Sequence, residues 1–164
     1  MGEPVLRVGP RGSGGPTLRR ATDGDAPALT AIAEAAYALY VPRIGRPPPP
    51  MVADYAVAVR DSETWVLDDD GQVVGFLVLV PGEDHLLLEN VAIAPDQQHR
   101  GLGRRLLEHA EQRAVAHGLR ELRLYTNEAM VENQRLYVRI GYEETHRASD
   151  GWLRRVFYRK RLPA

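Results

Sequence analysis

The clearest chemistry in this 164-residue chain lies between Val91 and Leu107. The segment reads Val-Ala-Ile-Ala-Pro-Asp-Gln-Gln-His-Arg-Gly-Leu-Gly-Arg-Arg-Leu-Leu. A hydrophobic strand ends at Ala94, a polar loop follows, and Gly101 and Gly103 stand at the entrance to an amphipathic helix. The first N–H groups of a helix have no partners inside it, and the helix dipole makes that end positive. Glycine lets a ligand approach the backbone closely. Arg100, Arg104 and Arg105 add formal positive charge. Together these are the parts of a phosphate or pyrophosphate cradle. A Walker loop is excluded, because no lysine followed by Ser or Thr comes after the last glycine. A dinucleotide fingerprint needs three glycines at another spacing, whereas the pattern here is Gln98-x-x-Gly101-x-Gly103. On spacing alone, a tight strand-to-helix turn with solvated arginines accommodates the same residues.

A second unusual residue is Glu89, an acid beside the apolar run Leu86-Leu87-Leu88. An acid in such a strand calls for a reason, either a general base or a partner arginine. Strand alternation puts Glu89 on the face of Val91, with His85 at the same parity as a weaker alternative base. The chain has no cysteine, which removes disulfide frameworks, thiolate metal sites and cysteine nucleophiles together. Lys160 is the sole lysine among 21 basic residues, so a catalytic lysine is a poor candidate. Arginine suits bidentate recognition of phosphate or carboxylate. The net charge of −1 argues against bulk nucleic-acid binding. His99, His109 and His117 fall on a loop or on exposed helix positions without metal-ligand spacing, so no metal is expected. The longest apolar run, Val73–Val80, is far short of the roughly 20 residues that span a bilayer. Met1 to Pro16 lacks the apolar core of a leader peptide, so a cytoplasmic location is expected.

These residues need elements to hold them. Residues 1–16 form a Gly- and Pro-rich tail, and one domain is expected over 17–164. A strand over Thr17–Ala21 precedes a helix capped by Asp23 and running to about Leu39. Pro47–Pro50 makes a stiff loop, followed by a short helix over Val52–Val59. Strands over Thr64–Leu67 and Gln72–Val80 flank the turn Asp68-Asp69-Asp70-Gly71. A third strand covers His85–Ala94. A helix over Gly101–Gly118 then presents Leu102, Leu106, Leu107, Ala110 and Ala114 on one side. Glu121–Thr126 is a strand, Ala129–Arg139 a helix stopped near Gly141, and Tyr142–Arg147 pairs with Trp152–Arg159 in a final hairpin. Three antiparallel strands before one β-α-β crossover imply a mixed sheet and an α/β (or α+β) class.

The segments "LLLENVAIAPDQQHRGLGRRLLEHA", "LRLYT" and "ENQRLYVRIGYEE" resemble, in order and spacing, the centre of the GNAT superfamily of N-acetyltransferases. The resemblance covers about Thr17 to Arg161 and is strongest over His85–Glu144. It implies a mostly antiparallel sheet of six to seven strands flanked by about four helices, with a V-shaped splay between strands 4 and 5. Acetyl-CoA is the implied cosubstrate, without a metal. Backbone groups of Val91, Ala92 and Ile93 would hold the pantetheine and the acetyl carbonyl. N–H groups of Gln98, His99, Arg100, Gly101, Leu102, Gly103 and Arg104 would hold the pyrophosphate. Tyr137 matches the family's tyrosine, which protonates the departing thiolate, and a core role for the same ring stands beside that reading. The family's frequent asparagine, seven residues before this tyrosine, is Met130 here. Asn127 and Asn133 are left as candidates for the pantetheine or a water.

The implied reaction moves an acetyl group to the primary amine of a small molecule by direct attack in a ternary complex, with Glu89 as base and Tyr137 as acid. Tyr37, Tyr40, Arg43, Arg46, Met51 and Tyr55 surround the proline-rich loop where the family builds its acceptor pocket, and the aromatic rings with two arginines suit a small amine that also bears a carboxylate. Two rivals stay open: a non-catalytic acyl-CoA sensor on the same fold, and an acetyltransferase acting on proteins or peptides. No nucleic-acid or membrane partner is expected. The C-terminal hairpin offers an edge on which a homodimer could form.

Overall fold

The computed structural model describes residues 15–163. All of the expected tail except Gly15 and Pro16 lies outside these residues. The strands are β1 (Thr17–Arg20), β2 (Glu63–Asp69), β3 (Gln72–Pro81), β4 (Leu86–Ile93), β5 (Glu121–Asn127), β6 (Glu143–Asp150) and β7 (Leu153–Arg161). They form one sheet in the order β1-β2-β3-β4-β5-β7-β6. Every neighbouring pair is antiparallel except β4 and β5. The helices are α1 (Ala26–Tyr37), α2 (Val41–Ile44), α3 (Pro49–Val52), α4 (Tyr55–Asp61), α5 (Leu102–Ala116) and α6 (Val131–Arg139). Since α2 and α3 are single turns, four longer helices flank a seven-stranded mixed sheet, the expected architecture.

Both faces of the sheet are covered, which explains the near-continuous apolar run of β3. Its Leu77 and Leu79 pack with Leu102, Leu106 and Ala110 of α5. Its Phe76 and Val78 pack on the other face with Leu29, Ile32 and Ala33 of α1. The tight β2–β3 hairpin has Asp70 at φ 51° and Gly71 at φ 91°. Left-handed backbone at both central positions twists with the flanking strands. Asp68 accepts the Gly71 N–H at 2.7 Å and pairs with Arg19 at 3.0 Å, so one of the three turn acids has a structural partner.

Several local readings change. The first helix stops at Tyr37, and a 3-10 turn over Ala38–Tyr40 follows. That tighter turn shifts the phase, so Tyr40 is buried while Leu39 is 48% exposed. The proline run is not all loop: Pro49 and Pro50 open α3, where a missing N–H is harmless. The helix expected over Val52–Val59 begins instead at Tyr55, because the Asp54 side chain caps it by accepting the Val57 N–H at 3.2 Å. His109 is half-buried, with its ring 4.3 Å from that of Trp65. Burial holds its pKa below the ordinary imidazole value. Trp65 packs against the α5-side core, whereas Trp152 is exposed on the β6–β7 turn.

Candidate functional site

The site begins where β4 and β5 part. Their parallel register joins only Leu86 with Leu122 and Leu87 with Arg123. Beyond that point Leu88–Val91 and Leu124–Asn127 line the two sides of one cavity of about 360 Å³. Strands that part leave backbone N–H and C=O groups without a ladder partner, and a ligand lying in the gap can satisfy them.

A β-bulge lies at the mouth of the gap. Val78 pairs with Asn90 and Leu79 with Leu88, so Glu89 is an extra residue with no partner on β3. A bulge breaks the alternation of the strand and increases its twist. Leu86 and Leu88 therefore face the α5 core, while Asn90 and Ala92 face α1. Simple parity had tied Glu89 to the face of Val91, and the bulge removes that link. Glu89 is exposed at the cavity wall. His85 is bonded to Asp84 at 2.7 Å and lies outside this cavity.

Behind the bulge runs a buried polar chain. The Tyr37 hydroxyl donates to Asn90 Oδ1 at 2.9 Å and lies 3.2 Å from the Val91 carbonyl oxygen. Asn90 Nδ2 donates to the Tyr55 hydroxyl oxygen at 2.7 Å, and that hydroxyl donates to the Pro50 carbonyl. Burial raises the pKa of both tyrosines, so they remain O–H donors at neutral pH. This chain ties α1, the proline-rich segment and β4 together around the cavity. Asn90 was missed in the sequence. The signal available was an asparagine next to Glu89 in an otherwise apolar strand.

On the β5 side, Tyr137 of α6 reaches the cavity with a buried ring, packed 5.8 Å from Tyr142 and 6.0 Å from Tyr158. Burial pushes its hydroxyl well above the ordinary tyrosine range. It therefore keeps its proton at neutral pH. Asn127 Oδ1 accepts the Ala129 N–H at 2.8 Å and shapes the turn into α6. Met130 is buried, with the Thr126 hydroxyl at 3.5 Å and Asn133 Nδ2 at 3.8 Å from its sulfur. Asn127, Met130 and Asn133 all line the cavity.

The glycine loop follows β4 directly. Gly101 is the N-cap of α5 at φ 76°, and His99 sits at φ 65°. Left-handed residues among ordinary ones point successive N–H groups into one concavity, an anion-binding arrangement. A Cβ built on Gly101 would meet no atom within 4 Å, so the glycine serves backbone conformation and leaves its outer side open. Gln98, His99, Arg100 and Arg104 are exposed, and Gln98 Nε2 donates back to the Ile93 carbonyl at 3.3 Å. Leu102 sends its side chain into the core, so only its N–H faces the loop side. The three arginines have local partners: Arg100 bonds Gln97, Arg104 pairs with Glu108 at 3.3 Å, and Arg105 bonds the Pro16 carbonyl. These residues fit a diphosphate held by main-chain amides.

The residues expected around an acceptor are only partly brought to the cavity. Tyr37 lines the cavity, and Tyr40 stands behind it at 6.2 Å between ring centroids. Arg43 pairs with Glu132 at 2.8 Å, and Arg46 stacks on Trp152 at 4.4 Å. Neither arginine lines the cavity. Pro48, Pro49, Pro50, Ala53, Asp54 and Tyr55 form one wall, with Tyr125, Leu153 and Arg155 opposite on β5 and β7.

The Acetyltransferase (GNAT) family matches residues 29–142, and the chain belongs to that family. Peptidyl-lysine N-acetyltransferase YiaC of Escherichia coli (strain K12) is 31% identical over 64 residues, covering 39% of this chain and 40% of that protein. The chain spans about two-fifths of the length of the curated relatives it matches. A GCN5-related N-acetyltransferase from Rhodopseudomonas palustris superposes with a TM-score of 0.76 at 22% identity, over 90% of this chain and 96% of its own. The PaiA N-acetyltransferase from Thermoplasma acidophilum, solved in complex with coenzyme A, gives 0.73 at 17% identity, over 88% and 98%. These two likenesses establish the fold. Among the described residues no helix is long and apolar enough to cross a membrane.

Proposed function

We propose that the protein transfers the acetyl group of acetyl-CoA to the primary amine of a small molecule. The observation that carries this reading is the parting of β4 from β5 after two residue pairs, with Glu89 and Tyr137 lining the resulting cavity. Val91, Ala92 and Ile93 would hold the pantetheine arm, and the amides from Gln98 to Arg104 the pyrophosphate. Asn127 and Asn133, which line the cavity, would face the pantetheine or a water. When bound, acetyl-CoA supplies an acyl group already activated as a thioester.

The protein's own residues then have two proton tasks. An acceptor amine is protonated near neutrality, since amines titrate near about 10. Glu89 takes a proton from it, directly or through a water, and frees the lone pair for attack. As the C–N bond forms and the C–S bond breaks, Tyr137 gives its hydroxyl proton to the leaving sulfur. The new amide nitrogen sheds its second proton to the Tyr137 oxygen, directly or through a water, and Glu89 releases its proton to solvent, so both groups are reset. No cysteine exists to carry the acyl group, which favours direct transfer between the two substrates.

The test is release of free thiol from acetyl-CoA over a panel of amino acids, polyamines, aminoglycosides and lysine-containing peptides. The reading expects acetylation of at least one small amine, confirmed by mass. Coenzyme binding with no acetylation of any acceptor would establish a sensor, and acetylation of peptides alone would establish the protein-modifying alternative.

A further inference from the structure

We infer that Arg155 is the specificity determinant of the acceptor side, and that the acceptor is a free amino acid with an apolar side chain, bound through its carboxylate. This inference rests on the acetyl-transfer reading and names its substrate class. Arg155 lies on β7 opposite Asn127 of β5 and lines the same cavity as Glu89. Its guanidinium carbon sits 4.7 Å from the Tyr125 ring centroid. Stacking on a ring fixes the plane of a guanidinium while leaving its N–H edges free to grip a carboxylate.

Arg155 also differs from the paired arginines Arg147 and Arg159 of the same hairpin. Arg147 is paired with Glu128 and Glu144, and Arg159 with Glu143. Arg155 has no carboxylate partner among the described residues. A half-buried cation with no carboxylate in direct contact is poised for an anion.

The charges of the cavity narrow the ligand further. It is lined by two carboxylates, Glu89 and Asp54, and by Arg155. Asp54 spends Oδ1 on capping α4, whereas the Glu89 side chain makes no hydrogen bond among the described residues, so Glu89 is the freer of the two to face an amine. A dicationic acceptor would leave Arg155 without an anion. A zwitterion satisfies Glu89 with its ammonium and Arg155 with its carboxylate. Pro48, Pro50, Ala53, Val57 and Leu153 supply an apolar wall for the remaining side chain.

The experiment compares leucine, leucinamide and 3-methylbutylamine as acceptors for the wild type, Arg155→Gln and Arg155→Lys. These acceptors share one carbon skeleton and differ in the anionic group. Their amines differ in basicity, so the quantity read is how each kcat/KM ratio changes between variants, in which basicity cancels. Arg155→Gln is expected to lower the leucine-to-leucinamide ratio at least ~10-fold, through KM rather than kcat, because a charge-assisted bidentate contact is lost. Arg155→Lys recovers only part of the ratio, because it restores charge without the fork. Acetyl-CoA affinity stays unchanged in both variants. A ratio unmoved by Arg155→Gln, or putrescine preferred to leucine by the wild type, overturns the inference. Calorimetric titration of leucine into the coenzyme A complex reads the carboxylate site without turnover. Equal binding by the wild type and Arg155→Gln refutes the inference even if acetyl transfer holds. Binding lost only in the variant supports the site even if no acetyl transfer is found.

Discussion

Gly101 allows the coenzyme site to be tested apart from the stability of the fold. Its φ of 76° disfavours any side chain, yet a Cβ there meets no atom within 4 Å. Gly101→Ala and Gly101→Glu therefore share one backbone cost, about 1–2 kcal/mol for left-handed backbone in an L-residue. In a domain of this size that lowers Tm by about 2–8 °C, equally in both. Glutamate adds a charge beside the expected diphosphate. At ~5 Å two unit charges interact by about 0.8 kcal/mol in water and about 3 kcal/mol at a protein surface. With two phosphate charges and an exposed loop, the lower end of that range gives about 2 kcal/mol, a loss of about 30-fold in Kd. Calorimetry with coenzyme A should find that loss for Gly101→Glu relative to Gly101→Ala, shrinking as salt rises. Affinities within about threefold of each other, with Tm lowered alike, would refute the cradle.

Three further outcomes follow from the geometry. Tyr137→Phe removes the proton donor and should cut kcat by about 100-fold or more while coenzyme A affinity holds, as read by stopped thiol-release assays beside calorimetry. Glu89→Gln should slow transfer at neutral pH and leave a rate that climbs with pH toward that of the free amine. A profile parallel to the wild type would remove Glu89 from the proton path. Asp25 is buried, and the hydrogen-bonded Arg19 guanidinium holds its pKa at about 2, below the ordinary 3.8. A lowered carboxylate pKa stabilises the fold above the unfolded value and loses that contribution as pH falls through the folded one. Asp25→Asn should cost about 1–2 kcal/mol at pH 7, discounted because Arg19 is partly exposed, and the deficit should fade in denaturant titrations between about pH 4 and 2.

The elements were legible where periodicity and turn chemistry were strong. The α5 stripe Leu102, Leu106, Leu107, Ala110 and Ala114 is buried as its spacing requires. The Asp70-Gly71 turn likewise announced its hairpin. The loop glycines were legible as a strand-to-helix turn, and Gly101 is the left-handed N-cap of α5. The acceptor wall was not. Arg43 and Arg46 were near the right segment, but Glu132 and Trp152, distant in sequence, claim them. Arg155 was invisible for the opposite reason: it comes from β7, and only the β5–β7 pairing brings it to Tyr125. The buried Tyr37–Asn90–Tyr55 chain depends on the same kind of long-range meeting.

The bulge at Glu89 joins fold to chemistry, and its removal makes a sharp test. Leu88 already faces α5 and Asn90 already faces α1, with Leu79 and Val78 as their partners. Deleting Glu89 therefore leaves a strand whose alternation is unbroken on either side of the join, so the domain should fold. The deletion loses two things at once: the candidate base, and the extra twist that a bulge gives its strand. That twist acts just beyond the last β4–β5 pair, since Glu89 is two residues after Leu87. Without it β4 should stay beside β5 for longer, and the gap for the pantetheine should narrow. The deletion is thus expected to weaken coenzyme A binding, whereas Glu89→Gln, which keeps the bulge, leaves binding intact. A folded deletion variant, verified by circular dichroism and cooperative melting, that binds coenzyme A like the wild type would show that something other than the bulge holds the strands apart.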